Sequence, residues 1–201
     1  IAAALEAMGA SLFAGAGPDT SSVSLSTPIA SAEAAGAILA DVVMRPDYAP
    51  QELERTRTRT VNNIRVSLRD PANLAAAVMN RVVYGAAAYG APVSGTPESL
   101  AAVTRDDLVA YHDRWWRPDN ATLVVVGDTT MAELQPMLER AFAAWQAPST
   151  PLPARVAAPV AAQPAAPRVL IVDRAGPQSI ITAGRLAPAL DPSTEAAINT
   201  M

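Results

Sequence analysis

Few side chains in this sequence can do chemistry, and their scarcity decides most of what can be built. The 201 residues include one histidine, His112, and no cysteine. Zinc centres draw their nitrogen and sulfur ligands from His and Cys, so neither a two-histidine site nor a thiolate site can be assembled from this chain alone. The same count excludes a histidine pair for acid–base work, a cysteine nucleophile and a disulfide framework. A Ser-His-Asp arrangement is not indicated either, because Asp113 directly follows His112 and successive helical residues do not face each other. His112 stands beside Tyr111 and the pair Trp115-Trp116, which suits a packed or half-exposed structural imidazole better than a ligand. Gly15, Gly17 and Pro18 do not make a phosphate loop, since the lysine and downstream hydroxyl that such a loop needs are missing. Tyr84 and Tyr89, with Gly85 and Gly90, either line a pocket or pack as a surface loop.

Charge narrows the partners. The chain carries 15 basic and 19 acidic residues, a formal net charge of -4, and every basic residue is Arg. Phosphate backbones demand clustered positive charge, so nucleic acid is not an expected partner. The nearest basic run, Arg55, Arg57, Arg59, Arg65 and Arg69, is diluted by Thr and Asn and flanked by Glu52, Glu54 and Asp70, which describes a solvated helix face. With 50% hydrophobic residues the chain is composed like a packed domain rather than a disordered one. No apolar stretch approaches the roughly 20 residues that cross a bilayer. A periplasmic or cell-envelope location is the expectation, with which cysteine avoidance is compatible, and the cytoplasm is the alternative.

The elements that must position these residues are mostly helical. Residues 1–8 follow a helical pattern that stops at Gly9, and residues 11–16 and 20–27 predict a hairpin around Gly17-Pro18-Asp19. Polar and apolar residues alternate over 22–27, so one face of that strand should be buried. Helical spacing recurs over 31–44 and ends at Pro46; Pro50 opens a long helix to about Leu68, and Asp70-Pro71 starts another that leads to Val83. Pro97 begins a short helix, and Thr104-Arg-Asp-Asp107 is a capping-box pattern for a helix reaching Trp116. The β-branched run at 121–127 predicts a strand covered on both faces, and 129–145 an amphipathic helix with Leu134, Met137, Leu138, Phe142 and Trp145 on one side. The organisation expected is a unit over 1–146, a Pro/Ala-rich linker over 147–167, and the beginning of a second unit over 168–201, opening with strands at 168–173 and 178–183. The fold class this implies is α+β, a sheet packed against helices. Both ends read as helices without caps, as if the chain were a segment of a longer one.

Several of these elements, in order, resemble the insulinase or pitrilysin type of zinc metallopeptidase, the group that includes mitochondrial processing peptidase. The matching residues are Leu5-Glu-Ala-Met-Gly-Ala10 with Asp19-Thr20, Ile38-Leu-Ala-Asp-Val-Val with Pro46, and Glu52-Leu-Glu-Arg55. They continue with Ala88-Tyr-Gly-Ala-Pro92, Gly95-Thr96, Tyr111-His-Asp-Arg-Trp-Trp-Arg-Pro-Asp-Asn120 and Val124-Val-Val-Gly-Asp128. The resemblance implies two related halves joined by the linker. It also implies a zinc site in active members, built from H-x-x-E-H on a helix and a third ligand, a Glu about 76 residues further on. That motif would fall about 14 residues ahead of Ile1. The third ligand would fall within this chain, where active members have Glu-Glu just before the Asp-Pro; here those positions are Asn62 and Asn63. An uncharged amide is a poor zinc ligand.

The resemblance therefore implies a non-catalytic domain of a bacterial insulinase-type peptidase, with no catalytic residue and no metal in this segment. Zinc would lie in an active partner domain or subunit, against which this one packs to enclose a polypeptide substrate. Two other readings stay open. One is an active zinc endopeptidase whose H-x-x-E-H lies upstream, with an unusual third ligand such as Glu52 or Glu54; the other is a scaffold subunit that handles no peptide. In catalytic relatives the strand after the first motif is a sheet edge that takes substrate by main-chain pairing. Phe13, Ala14 and Gly15 are the corresponding residues, with Phe13 where an Asn is usual, and a plain structural hairpin is the alternative.

Overall fold

The computed structural model describes residues 1–154, 168–176 and 178–186. The chain divides into two compact units, Ile1–Val61 with Gly95–Val156, and Asn62–Ser94 with Ala157–Met201. The elements are α1 (Ala2–Ala7), β1 (Ser11–Ala16), β2 (Ser21–Ser26), α2 (Ala32–Met44), α3 (Pro50–Ser67), α4 (Pro71–Tyr84), α5 (Pro97–Ala102), α6 (Arg105–Trp115) and α7 (Met131–Ala141). The architecture is α+β and helix-rich, with one two-stranded sheet among the described residues.

The first unit is organised around the hairpin. Gly9 leaves α1 at φ +65, a backbone setting that favours glycine, and turns the chain into β1. β1 pairs antiparallel with β2 from Ser11↔Ser26 to Ala16↔Ser21. Along β2 the serines are exposed while Val23 and Leu25 are half-buried, so the polar–apolar alternation does set the buried face. Leu25 and Leu12 pack with Met8 and Ile38 around Leu5, Ala10 and Ala35, a small core in which α1 and α2 cover one side of the hairpin. Ala35 is fully buried, which is why small residues line that side of α2: a larger side chain would push the helix off the sheet.

Local chemistry sets the helix starts. Asp70 accepts from the backbone N–H groups of Ala72 (2.7 Å) and Asn73 (3.4 Å), with Pro71 at the first helical position of α4. Reciprocal capping boxes open α5 (Thr96 with Ser99), α6 (Thr104 with Asp107) and α7 (Thr130 with Glu133). These bonds hold the Asp107 carboxyl below its usual range through the Thr104 side chain, and the Glu133 carboxyl likewise through the Thr130 backbone N–H.

The strands expected at 121–127, 168–173 and 178–183 do not form. Their described residues belong to no helix and no ladder, and they lie open, with Val124 77% and Val126 93% exposed. A β-branched run is only a strand when another backbone lies beside it to take its N–H and C=O groups, and among the described residues no strand does so. Most of the expected linker, 155–167, and the helix-like 193–201 lie outside the described residues.

Candidate functional site

β1 is the first place to look for a ligand. One edge pairs with β2, with Phe13 opposite Ser24, Ala14 opposite Val23 and Gly15 opposite Ser22. No further strand lies on its other edge among the described residues. Phe13 is 72% exposed, whereas its neighbour Leu12 packs against the core of Leu5, Ala10 and Ala35. Gly15 leaves room over the strand: a Cβ there would meet the Phe13 ring at 3.5 Å, ordinary contact. The three residues expected to seat a peptide thus lie together on an open edge, carrying one large apolar side chain and little else.

Asn62 and Asn63 lie on α3, both exposed. Ten residues before Asn62, about 15 Å along a helix axis, Glu52 accepts from Arg55 Nε at 2.8 Å. Glu54 accepts from Arg57 Nε at 3.2 Å, and Arg57 also donates to the Val103 carbonyl at 2.7 Å, tying α3 to the end of α5. The residues present do not fit a zinc ion. The two amides carry no charge to offset it, the two acids are already engaged by guanidinium groups, and no three His, Cys, Asp or Glu come together among the described residues.

His112 has a structural setting. Its Nε2–H donates to the Val43 carbonyl at the end of α2 (2.8 Å), fixing the tautomer and pinning α6 to α2. Its ring stacks on Trp116 at 6.2 Å and meets Tyr48 edge-on at 6.2 Å. Tyr48 takes φ +49, an unusual value for a non-glycine residue, between Pro46 and Pro50. Burial, then the nearby Asp113 and Tyr111, raise the Tyr48 phenol above its ordinary pKa. The sequence offers Tyr111 and the tryptophans as neighbours of His112, whereas Tyr48 reaches it from a separate turn that no spacing pattern marks.

Two features escape sequence reasoning. Arg117 is 4% exposed and is gripped by Asp119 through Nε (2.9 Å) and a terminal nitrogen (2.6 Å), while Asn120 donates to the Trp115 carbonyl. The motif Trp116-Arg-Pro-Asp-Asn120 is thus a self-bonded turn that closes α6. The second feature is a groove on the other unit between Arg81 and Arg168, residues 87 positions apart in the chain.

Comparison with known proteins gives this geometry a context. The family model described as the peptidase M16 inactive domain matches residues 102–201. A crystal structure of a peptidase M16 inactive domain from Pseudomonas fluorescens superposes with a TM-score of 0.72 at 25% identity, over 81% of this chain and 39% of that one. The chain belongs to the M16, or insulinase-type, peptidase family. An uncharacterized zinc protease of Mycobacterium leprae is 28% identical over 105 residues, 52% of this chain and 24% of that protein. An uncharacterized zinc protease of Bacillus subtilis, YmxG, is 24% identical over 110 residues, 55% and 27% respectively. A Helicobacter pylori protease shares the fold, with a TM-score of 0.72 at 16% identity. The chain spans about a quarter of the length of the curated relatives it matches. Within the M16 family the match is to a non-catalytic domain.

Proposed function

We propose that this M16 domain packs against a catalytic M16 domain and helps enclose a polypeptide in a shared chamber, contributing walls and peptide contacts rather than chemistry. The observation that carries the proposal is Asn62-Asn63, exposed amides on α3 at the place where the resemblance puts the third zinc ligand. The match to the family's inactive domain supports it. In this reading zinc and the water-activating Glu belong to the partner, and the open edge of β1 offers main-chain N–H and C=O groups to an extended substrate, with Phe13 flanking the seat. The units 1–146 and 168–201, joined by 147–167, are read as two related halves of the M16 module.

The test has four readings. Metal analysis of the purified chain should give no zinc in proportion to protein, and it should not cleave an unstructured peptide. Mixed with a catalytic M16 domain of the same organism, it should form a complex, and a photo-reactive group at Phe13 should label a bound peptide within it. Equimolar zinc or cleavage by the chain alone would make it a catalytic subunit. A complex that forms but leaves peptide unlabelled at Phe13 would make it a scaffold.

A further inference from the structure

The unit formed by Asn62–Ser94 and Ala157–Met201 differs in charge from the rest of the molecule. It holds six arginines, Arg65, Arg69, Arg81, Arg168, Arg174 and Arg185, against four acidic residues in its sequence, Asp70, Asp173, Asp191 and Glu195. The other unit holds nine arginines against fifteen acids. A chain of net charge -4 therefore contains a net-positive unit.

On that unit a groove of about 490 Å³ runs between the C-terminal end of α4 and residues 168–170, lined by Arg81, Val82, Gly85, Arg168, Val169 and Leu170. The segment that forms its second wall is held in place, since Arg174 donates to the Leu68 carbonyl at 2.7 Å and Gly184 lies against Met79. Arg81 donates one terminal nitrogen to the Gly85 carbonyl at 2.7 Å, which orients its guanidinium at the helix end. Arg168 makes no hydrogen bond or ion pair among the described residues. Residues 168–172 form no ladder there, so their main-chain groups are open to pairing, while Val82, Val169 and Leu170 offer an apolar floor.

We propose that this groove seats an acidic segment of extended polypeptide. Its backbone would pair with residues 168–172, an apolar side chain would rest on Val82 and Leu170, and a neighbouring carboxylate would lie between Arg81 and Arg168. Charge complementarity argues for this occupant: a guanidinium fork matches a carboxylate, and an apolar floor beneath two cations suits an acid next to an aliphatic residue better than either alone. The proposal rests on the reading of this domain as part of a peptide-enclosing assembly, and it names the class of peptide that assembly would favour.

Fluorescence anisotropy on the full chain tests it, with a labelled decapeptide alternating Val and Glu and its Val–Gln counterpart. The Glu peptide should bind on the order of tenfold tighter at low salt, the effect of one charge-assisted contact, and the gap should close as salt shortens the Debye length. Arg168→Gln should abolish the preference. Arg81→Gln should do the same, but it also removes the bond to Gly85, so Arg168 is the cleaner variant and circular dichroism controls for folding.

Equal affinity for the two peptides, binding of neither up to millimolar concentration, or a preference untouched by Arg168→Gln would overturn the proposal. So would displacement of the peptide by millimolar inorganic phosphate at constant ionic strength, which would make the groove a general anion site. If the chain fails to join a catalytic M16 domain yet keeps the Glu preference, the assembly reading alone has failed.

Discussion

Arg117 shows how a paired carboxylate contributes to the response to acid. Its guanidinium is almost wholly buried, and Asp119 supplies the counter-charge in a two-bond grip. Hydrogen bonding from Arg117 holds the Asp119 carboxyl below the usual carboxylate range. A group whose folded pKa is lowered contributes stability that is full above its unfolded value, about 3.9 for Asp, and lost as pH falls through the folded value. Asp107 and Glu133 are lowered too, so all three act in the same direction. Stability should hold between pH 7 and 5 and fall below about pH 4. Asp119→Asn should lower the thermal midpoint at pH 7, because a neutral amide leaves the buried cation uncompensated, and should flatten the acid limb. Thermal melts of both proteins at several pH values check this; parallel curves would show that the pair does not titrate with folding. Gly90 is a second residue-scale test. It is buried, and a Cβ there would run into the Gly85 carbonyl, so Gly90→Ala should destabilise by about 1–3 kcal/mol in urea melts.

At the scale of elements, the helices depend on chemistry carried within a few residues, and substitutions should follow local rules. Gly36 lies inside α2 with nothing near the place a Cβ would take, so Gly36→Ala should stabilise by about 0.5–1 kcal/mol. Asp70→Ala removes the acceptor that caps α4 and should cost about 1 kcal/mol. A denaturant series in which Gly36→Ala weakened the chain would show that α2 has no space there after all. The same locality explains what could be read in advance. Pro50, Asp70-Pro71, Pro97 and the Thr104–Asp107 box mark helix starts that the structure places within a residue or two. The β1–β2 hairpin was legible from alternation and a turn, since its pairing partner is the next segment along. Runs such as 121–127 carry β-propensity but no information about a partner, and their expected strands do not form. The groove between Arg81 and Arg168, and the approach of Tyr48 to His112, depend on contacts between distant segments that no spacing rule encodes.

At the scale of the whole molecule, the unpaired runs decide how the chain behaves in isolation. Residues 123–126, Leu-Val-Val-Val, are all exposed, as are Val169, Leu170, Ile171 and Val172. Each joins open main-chain groups to β-branched side chains, the combination that recruits another strand and that folded proteins normally cover. The relatives matched here extend well beyond the aligned region, so they hold polypeptide that this chain does not span. A net charge of -4 supplies only modest repulsion against such pairing. The 201-residue chain should therefore self-associate at micromolar concentration, more so as added sulfate strengthens apolar burial. The pair Val124→Glu and Val126→Glu should suppress this by placing like charges on the exposed run. It should leave the far-ultraviolet spectrum unchanged, because neither residue belongs to a helix or a ladder. Sedimentation velocity across a hundredfold range of concentration would report it. A wild-type chain that stays monomeric throughout would mean that the runs are covered in solution by the chain itself, and the same experiment on the double variant would then show lost stability instead of gained solubility.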